Sequence, residues 1–154
     1  MPELFEWFDR LKFVEREFRA VSSAVGDLRN AVRDGKLSAL NRTTLRDLDA
    51  AFDRLEPTYL IRLWAEFETA ARSYYASLTH DQESRIRAVD LINTVAAVRR
   101  GRAIAEAVRV QVHGVREYRN SLVHERDAPV LPVFLVEARR RLNTFLGKFP
   151  KHWD

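Results

Sequence analysis

Between Tyr118 and Glu125 the chain reads Tyr-Arg-Asn-Ser-Leu-Val-His-Glu, which sets a permanent cation, Arg119, and a carboxamide, Asn120, close to an imidazole, His124. In a helix, Arg119 and His124 would stand within about two turns of each other. Histidine is the side chain whose ordinary pKa lies near neutrality, so His124 is suited to taking up a proton and returning it. A guanidinium has a fixed charge and several N–H donors, which suits Arg119 to oxygens whose negative charge grows during a reaction. Asn120 is placed to orient one of these groups, or a phosphate. This chemistry matches a substrate that brings its own nucleophile. RNA does so, because its 2′-hydroxyl can attack the adjacent phosphate and release a 2′,3′-cyclic phosphate and a 5′-hydroxyl without a metal ion.

Arg109, His113, Arg116, Asn120 and His124 recur at steps of three and four, so they align along one side of a helix with Arg119 beside them. Arg109, His113 and Arg116 are therefore the candidate RNA-binding residues, leading into the candidate catalytic set Arg119, Asn120 and His124. A polar helix face often just meets water, and cations near a helix end also offset its dipole. Five helical residues turn through about 500°, which leaves Arg119 and His124 roughly 140° apart around a straight helix. Either the helix loosens between them or the reacting groups converge across a partner.

The spacing of Arg119 and His124, with Asn directly after the Arg, resembles the arginine, four to six residues, histidine motif of HEPN domains. The likeness is carried by the C-terminal third; elsewhere it is only to a helical pattern. It implies an all-α fold, a metal-independent endoribonuclease, and a homodimer whose two motifs face one cleft; single-stranded RNA is the expected substrate because paired A-form geometry resists bringing the 2′-hydroxyl in line with the phosphate. It also implies a toxin–antitoxin or phage-defence setting, with an antitoxin or defence-system partner. Where HEPN toxins controlled by a nucleotidyltransferase carry Tyr two residues after the motif His, this chain has Arg126, so control by tyrosine AMPylation is not expected. Several HEPN groups carry a Glu after an aromatic residue in the core helix. Phe67-Glu68 resembles that loosely, but the preferred reading is that Glu68 simply flanks the core. The competing class is a non-catalytic helical module for dimerisation or for binding RNA or a nucleotide.

Composition agrees with a helical protein that meets polyanions. The 154 residues include 22 Arg against 4 Lys, with a formal charge of +4 and a pI near 9.8. Guanidinium forks suit bidentate phosphate contacts better than ammonium groups do, though a GC-rich genome would also produce this ratio. Cysteine is absent, which excludes disulfides, thiol nucleophiles and thiolate metal sites. No Gly-rich phosphate loop and no His-Glu-x-x-His pattern appears, and neither a metal nor another cofactor is expected. His80, Asp81 and Glu83 could imitate metal ligands, but hydroxyls and carboxylates at a helix start satisfy free amides without an ion. The first residues resemble neither a secretory leader nor a membrane span, so a cytoplasmic protein without membrane contact is expected.

The positioning elements follow from apolar periodicity. A first helix carries Leu4, Phe8, Leu11, Val14, Phe18, Val21, Val25 and Leu28 on one face and ends at Asp34-Gly35. A second begins between Asn41 and Thr44, with a kink or restart expected at Glu56-Pro57. Leu60, Trp64, Phe67, Ala71, Tyr74 and Leu78 then mark the central core helix. Thr79-His80-Asp81-Gln82 reads as a capping box opening a helix with Ile86, Val89, Ile92 and Val95. Arg99 to Arg102 interrupt the chain before the motif helix, whose apolar face is Ile104, Val108, Val115, Tyr118 and Leu122. Asp127 to Pro132 end it, and a last helix carries Phe134, Leu135, Ala138, Leu142, Phe145 and Leu146 inward, with Arg139 to Arg141 partly outward. The expected architecture is one domain over residues 1–154, an all-α up-and-down bundle of four or five helices.

Overall fold

The computed structural model describes residues 3–36, 42–80, 85–97, 104–124 and 129–153. Among them are five helices: α1 (Leu4–Arg33), α2 (Arg42–Thr79), α3 (Ala88–Ala97), α4 (Glu106–Val123) and α5 (Leu135–Leu146). The described residues contain no strand, only an isolated bridge between Glu3 and His152. The molecule is an all-α bundle.

Every other helix packs against α2. Its stripe Leu60, Leu63, Trp64, Phe67, Ala70, Ala71 and Tyr74 is buried throughout, because residues three and four apart share one face and here that face is apolar. Onto it pack Leu11 and Val14 of α1, Leu91, Ile92 and Val95 of α3, and Val112 and Val115 of α4. From α5 come Leu135, Ala138, Leu142, Phe145 and Leu146. The chain end closes the base of this core: Phe149 and Trp153 stack edge-on, and the Trp153 indole N–H donates to Ser73 at 3.0 Å.

α1 ends as its sequence requires. Gly35 takes a positive φ of 70°, and the N–H groups of Gly35 and Lys36 donate to the carbonyls of Val32 and Ala31 at 3.0 and 2.9 Å. That paired pattern satisfies the last carbonyls, and glycine adopts the left-handed backbone it needs without steric cost.

Three expectations are corrected. α2 does not restart at Pro57 but runs through it for 38 residues. The Thr58 hydroxyl donates to the Arg54 carbonyl at 2.8 Å on the turn that the proline weakens, and the Glu56 carboxylate is committed elsewhere: it accepts the Leu135 N–H at 2.7 Å, capping α5. Thr79 is the last residue of α2, its hydroxyl bonded to the Tyr75 carbonyl at 3.0 Å, and α3 begins only at Ala88; Asp81 and Gln82 lie outside the described residues. Phe134 does not enter the core. It precedes α5 and is exposed, while Val133 takes the buried position.

α1 carries one residue that periodicity hides. Glu15 is buried, and its carboxylate holds Arg139 of α5 and Arg19 of its own helix. A carboxylate is kept in an apolar interior only when paired and hydrogen-bonded. Beyond Glu15 α1 has no buried residue, and α2 has none among those described before Leu60, so these halves pack on each other outside the main core. There Arg29 stacks over the Phe52 ring and donates to Asp49 at 2.6 Å.

Candidate functional site

α4 positions the motif. Val112 and Val115 anchor it in the core, with Val108, Tyr118 and Leu122 packed around them, and this fixes which way the remaining faces point. The helix ends at Val123, one residue before the motif histidine. His124 is extended, with φ −126° and ψ 134°, and exposed. The His124 N–H still closes an i→i−4 bond onto Asn120, so its Cα keeps the place the helix gives it and only its side chain leaves from an extended backbone.

Asn120 links the other two candidate catalytic residues. Its side-chain oxygen accepts from Arg119 Nη1 at 3.0 Å, and its backbone carbonyl accepts from the His124 N–H at 3.0 Å. One N–H of the guanidinium is thus bonded to the residue whose carbonyl also holds the His124 backbone. Arg119 is half-buried, and its Nε–H has no partner among the described residues.

The stripe leading to the motif is more occupied than its pattern suggests. Arg109 is bound to the Glu106 carboxylate, and Arg116 Nη2 reaches Glu117 at 3.2 Å while its buried Nε–H has no partner among the described residues. His113 turns into the seam with α3, where Nε2 lies 3.0 Å from the Asn93 side-chain oxygen. With that oxygen as acceptor, Nε2 carries the proton and Nδ1 keeps a lone pair, which is buried and unpartnered. Burial, then the charges of Arg116 and Arg109, push the His113 pKa below its ordinary value, against the weaker pull of Glu117 and Glu106. The Arg99 to Arg102 cluster lies outside the described residues.

Glu68 sits half-buried on α2. It accepts from the Trp64 indole at 2.8 Å and from Arg72 Nε and Nη2 at 3.1 and 2.6 Å, so both its oxygens are engaged within its own helix. Asn93 escaped the sequence reading, since its partner stands 20 residues away and the bond exists only because α3 and α4 pack together. No group of three His, Cys, Asp or Glu among the described residues is arranged to hold a metal ion, and Asp81 and Glu83 fall outside them. Among the described residues no helix is long and apolar enough to cross a membrane.

Comparison with protein-family models, with curated proteins and with solved structures gives no match.

Proposed function

We propose that the chain is a metal-independent endoribonuclease, HEPN-like in its motif, that cleaves single-stranded RNA through Arg119, Asn120 and His124. The observation that carries this reading is the grouping at the end of α4, where Asn120 holds the Arg119 guanidinium and the backbone of an exposed His124 at once. His124 takes the proton of the 2′-hydroxyl as its oxygen bonds to phosphorus. Arg119 donates to the non-bridging oxygens as their charge grows, and the bond to the 5′-oxygen breaks. The leaving oxygen needs a proton in the same step, so acid and base are two groups. A homodimer with both motifs on one cleft supplies the second imidazole. Arg109 and Arg116 line the approach for RNA, exchanging their glutamate partners for phosphate, while His113 is held by Asn93 in the α3–α4 seam. Such an enzyme fits a cytoplasmic toxin–antitoxin or phage-defence role, with an antitoxin or defence protein as its partner.

The test is incubation with single-stranded RNA in excess chelator, comparing wild type with Arg119→Ala and His124→Ala and mapping product ends. Cleavage by the wild type alone, leaving 2′,3′-cyclic phosphate ends and sparing 2′-deoxy substrate, is the expected result. Loss of wild-type cleavage in chelator would remove the metal-independent mechanism. Engagement of the stripe by Glu106, Glu117 and Asn93 favours, as second reading, a non-catalytic dimerisation or RNA-binding module, which would bind RNA in the same assay and leave it uncut.

A further inference from the structure

The outward face of α1 is unlike a solvated helix face. Phe5, Glu6, Asp9, Lys12, Phe13 and Arg16 fall within about 120° of arc, on the side away from buried Trp7, Leu11 and Val14. Two large rings stand in water there, Phe5 67% and Phe13 57% exposed. The cationic and anionic neighbours behind this face are already neutralised: Arg62 donates to Glu17 at 2.8 Å, and Arg10 lies 3.6 Å from Glu66 and over the Trp7 ring. Glu6, Asp9, Lys12 and Arg16 make no side-chain hydrogen bond or ion pair with any described residue. These four side chains, with Phe13 and with Arg62 and Glu66 of α2, line an open cleft of about 660 Å³.

The order of these free charges matters. Both acids precede both bases along the helix, so a second α1 laid antiparallel sets acid level with base, whereas a parallel one sets like against like. With a two-fold axis crossing α1 between Arg10 and Leu11, Asp9 stands level with Lys12 of the second copy, and the reverse pair repeats it. Glu6 then comes within one residue, about 1.5 Å of axial rise, of Arg16 of the second copy. Phe5 falls level with that same guanidinium, a cation–π pairing, and Phe13 is covered. Such self-complementarity is what an isologous contact requires.

We infer that this α1 face is a self-association surface whose partner is a second copy of the chain, docked antiparallel by the pairs Asp9–Lys12 and Glu6–Arg16. It contains no α4 residue and stands independently of the nuclease reading. A contact along one helix is small, so the association is reversible and sensitive to salt.

Charge reversal tests it in sedimentation. Glu6→Arg/Asp9→Arg makes the face wholly basic and Lys12→Glu/Arg16→Glu makes it wholly acidic, and none of the four side chains touches the core. The wild type should show a mass-doubling step with concentration, from monomer or from the motif-cleft dimer, and an Arg119→Ala/His124→Ala variant, which leaves α1 untouched, should keep it. Each double variant should weaken that step by at least about tenfold, because like charges now stand level, and an equimolar mixture of the two should restore it. A wild type without such a step, reversed variants that keep it, or a mixture that fails to recover it would overturn the inference. Should either variant lose helical content, single cysteines decide, since the chain has none of its own. Asp9→Cys chains should oxidise to Lys12→Cys chains in preference to each other, and equal yields of all pairings would refute the register.

Discussion

At the scale of single residues, the two ends of the motif differ in what they spend on the fold. Arg119 is half-buried against Asn120, His124 caps the end of α4 with an exposed side chain, and neither enters the apolar cluster. Each alanine variant should therefore lower cleavage by about a hundredfold or more, the range for a positioned proton-transfer group or charge donor, with a midpoint of thermal unfolding close to wild type. Unfolding of both variants would instead assign the residues to packing. His113 gives a separate test. Its folded pKa is depressed, so the unfolded chain binds the proton more readily; this histidine's share of stability is whole above the ordinary histidine pKa and declines as pH falls below it. In an NMR titration His113 should become protonated at lower pH than an unperturbed imidazole, and His113→Gln should flatten stability against pH on the acid side of neutrality. A His113 resonance titrating at the ordinary value would contradict the burial seen in the α3–α4 seam.

At the scale of elements, carboxylates decide how α5 sits. Glu56 reaches from α2 to the first N–H of α5, and its alanine variant should cost about 1 kcal/mol, the usual worth of a helix cap, lowering the unfolding midpoint by a few degrees without changing helix content. Glu15 ties α1 to α5 through Arg139. Arg139→Ala leaves a buried carboxylate with only its exposed partner Arg19, so it should destabilise more than Arg19→Ala does in chemical denaturation; equal effects would deny the cross-helix pair its role. Glu137 accepts from both Arg140 and Arg141, and those bonds bring its pKa down to about 2. A depressed carboxylate stabilises the fold above its unfolded pKa and loses that contribution as pH falls through its folded one. Glu137→Gln should therefore shed part of the acid dependence of stability below the usual carboxylate range.

At the scale of the molecule, α2 serves as the shared wall that holds α4 and α5 in register. Phe67→Ala, with its ring between Trp64 and Phe145, should cost about 3–5 kcal/mol and reduce cleavage only through loss of folded protein. If the second proton-transfer group is the His124 of another copy, a mixed dimer of wild-type and His124→Ala chains keeps only one imidazole, so excess His124→Ala chain should suppress wild-type cleavage. A fully active monomer at every concentration would place acid and base in a single chain.

Periodicity alone determined the helical class, the central position of the Leu60 to Tyr74 stripe and the end of α1 at Gly35, because burial of an apolar face and a left-handed glycine are local demands legible in order and spacing. The types and spacing of Arg119, Asn120 and His124 were equally legible as candidate chemistry. Tertiary structure decided the rest. That Pro57 lies inside a helix, that Glu56 caps α5 from 79 residues away, that Glu15 is buried and that His113 faces Asn93 all depend on which helices meet. So does the release of His124 from α4 into an extended conformation, on which its freedom to reach a substrate turns. A side chain's own sequence neighbourhood states what it can bond; only packing states which distant group comes within hydrogen-bond reach and which polar atom is left in a dry interior without one.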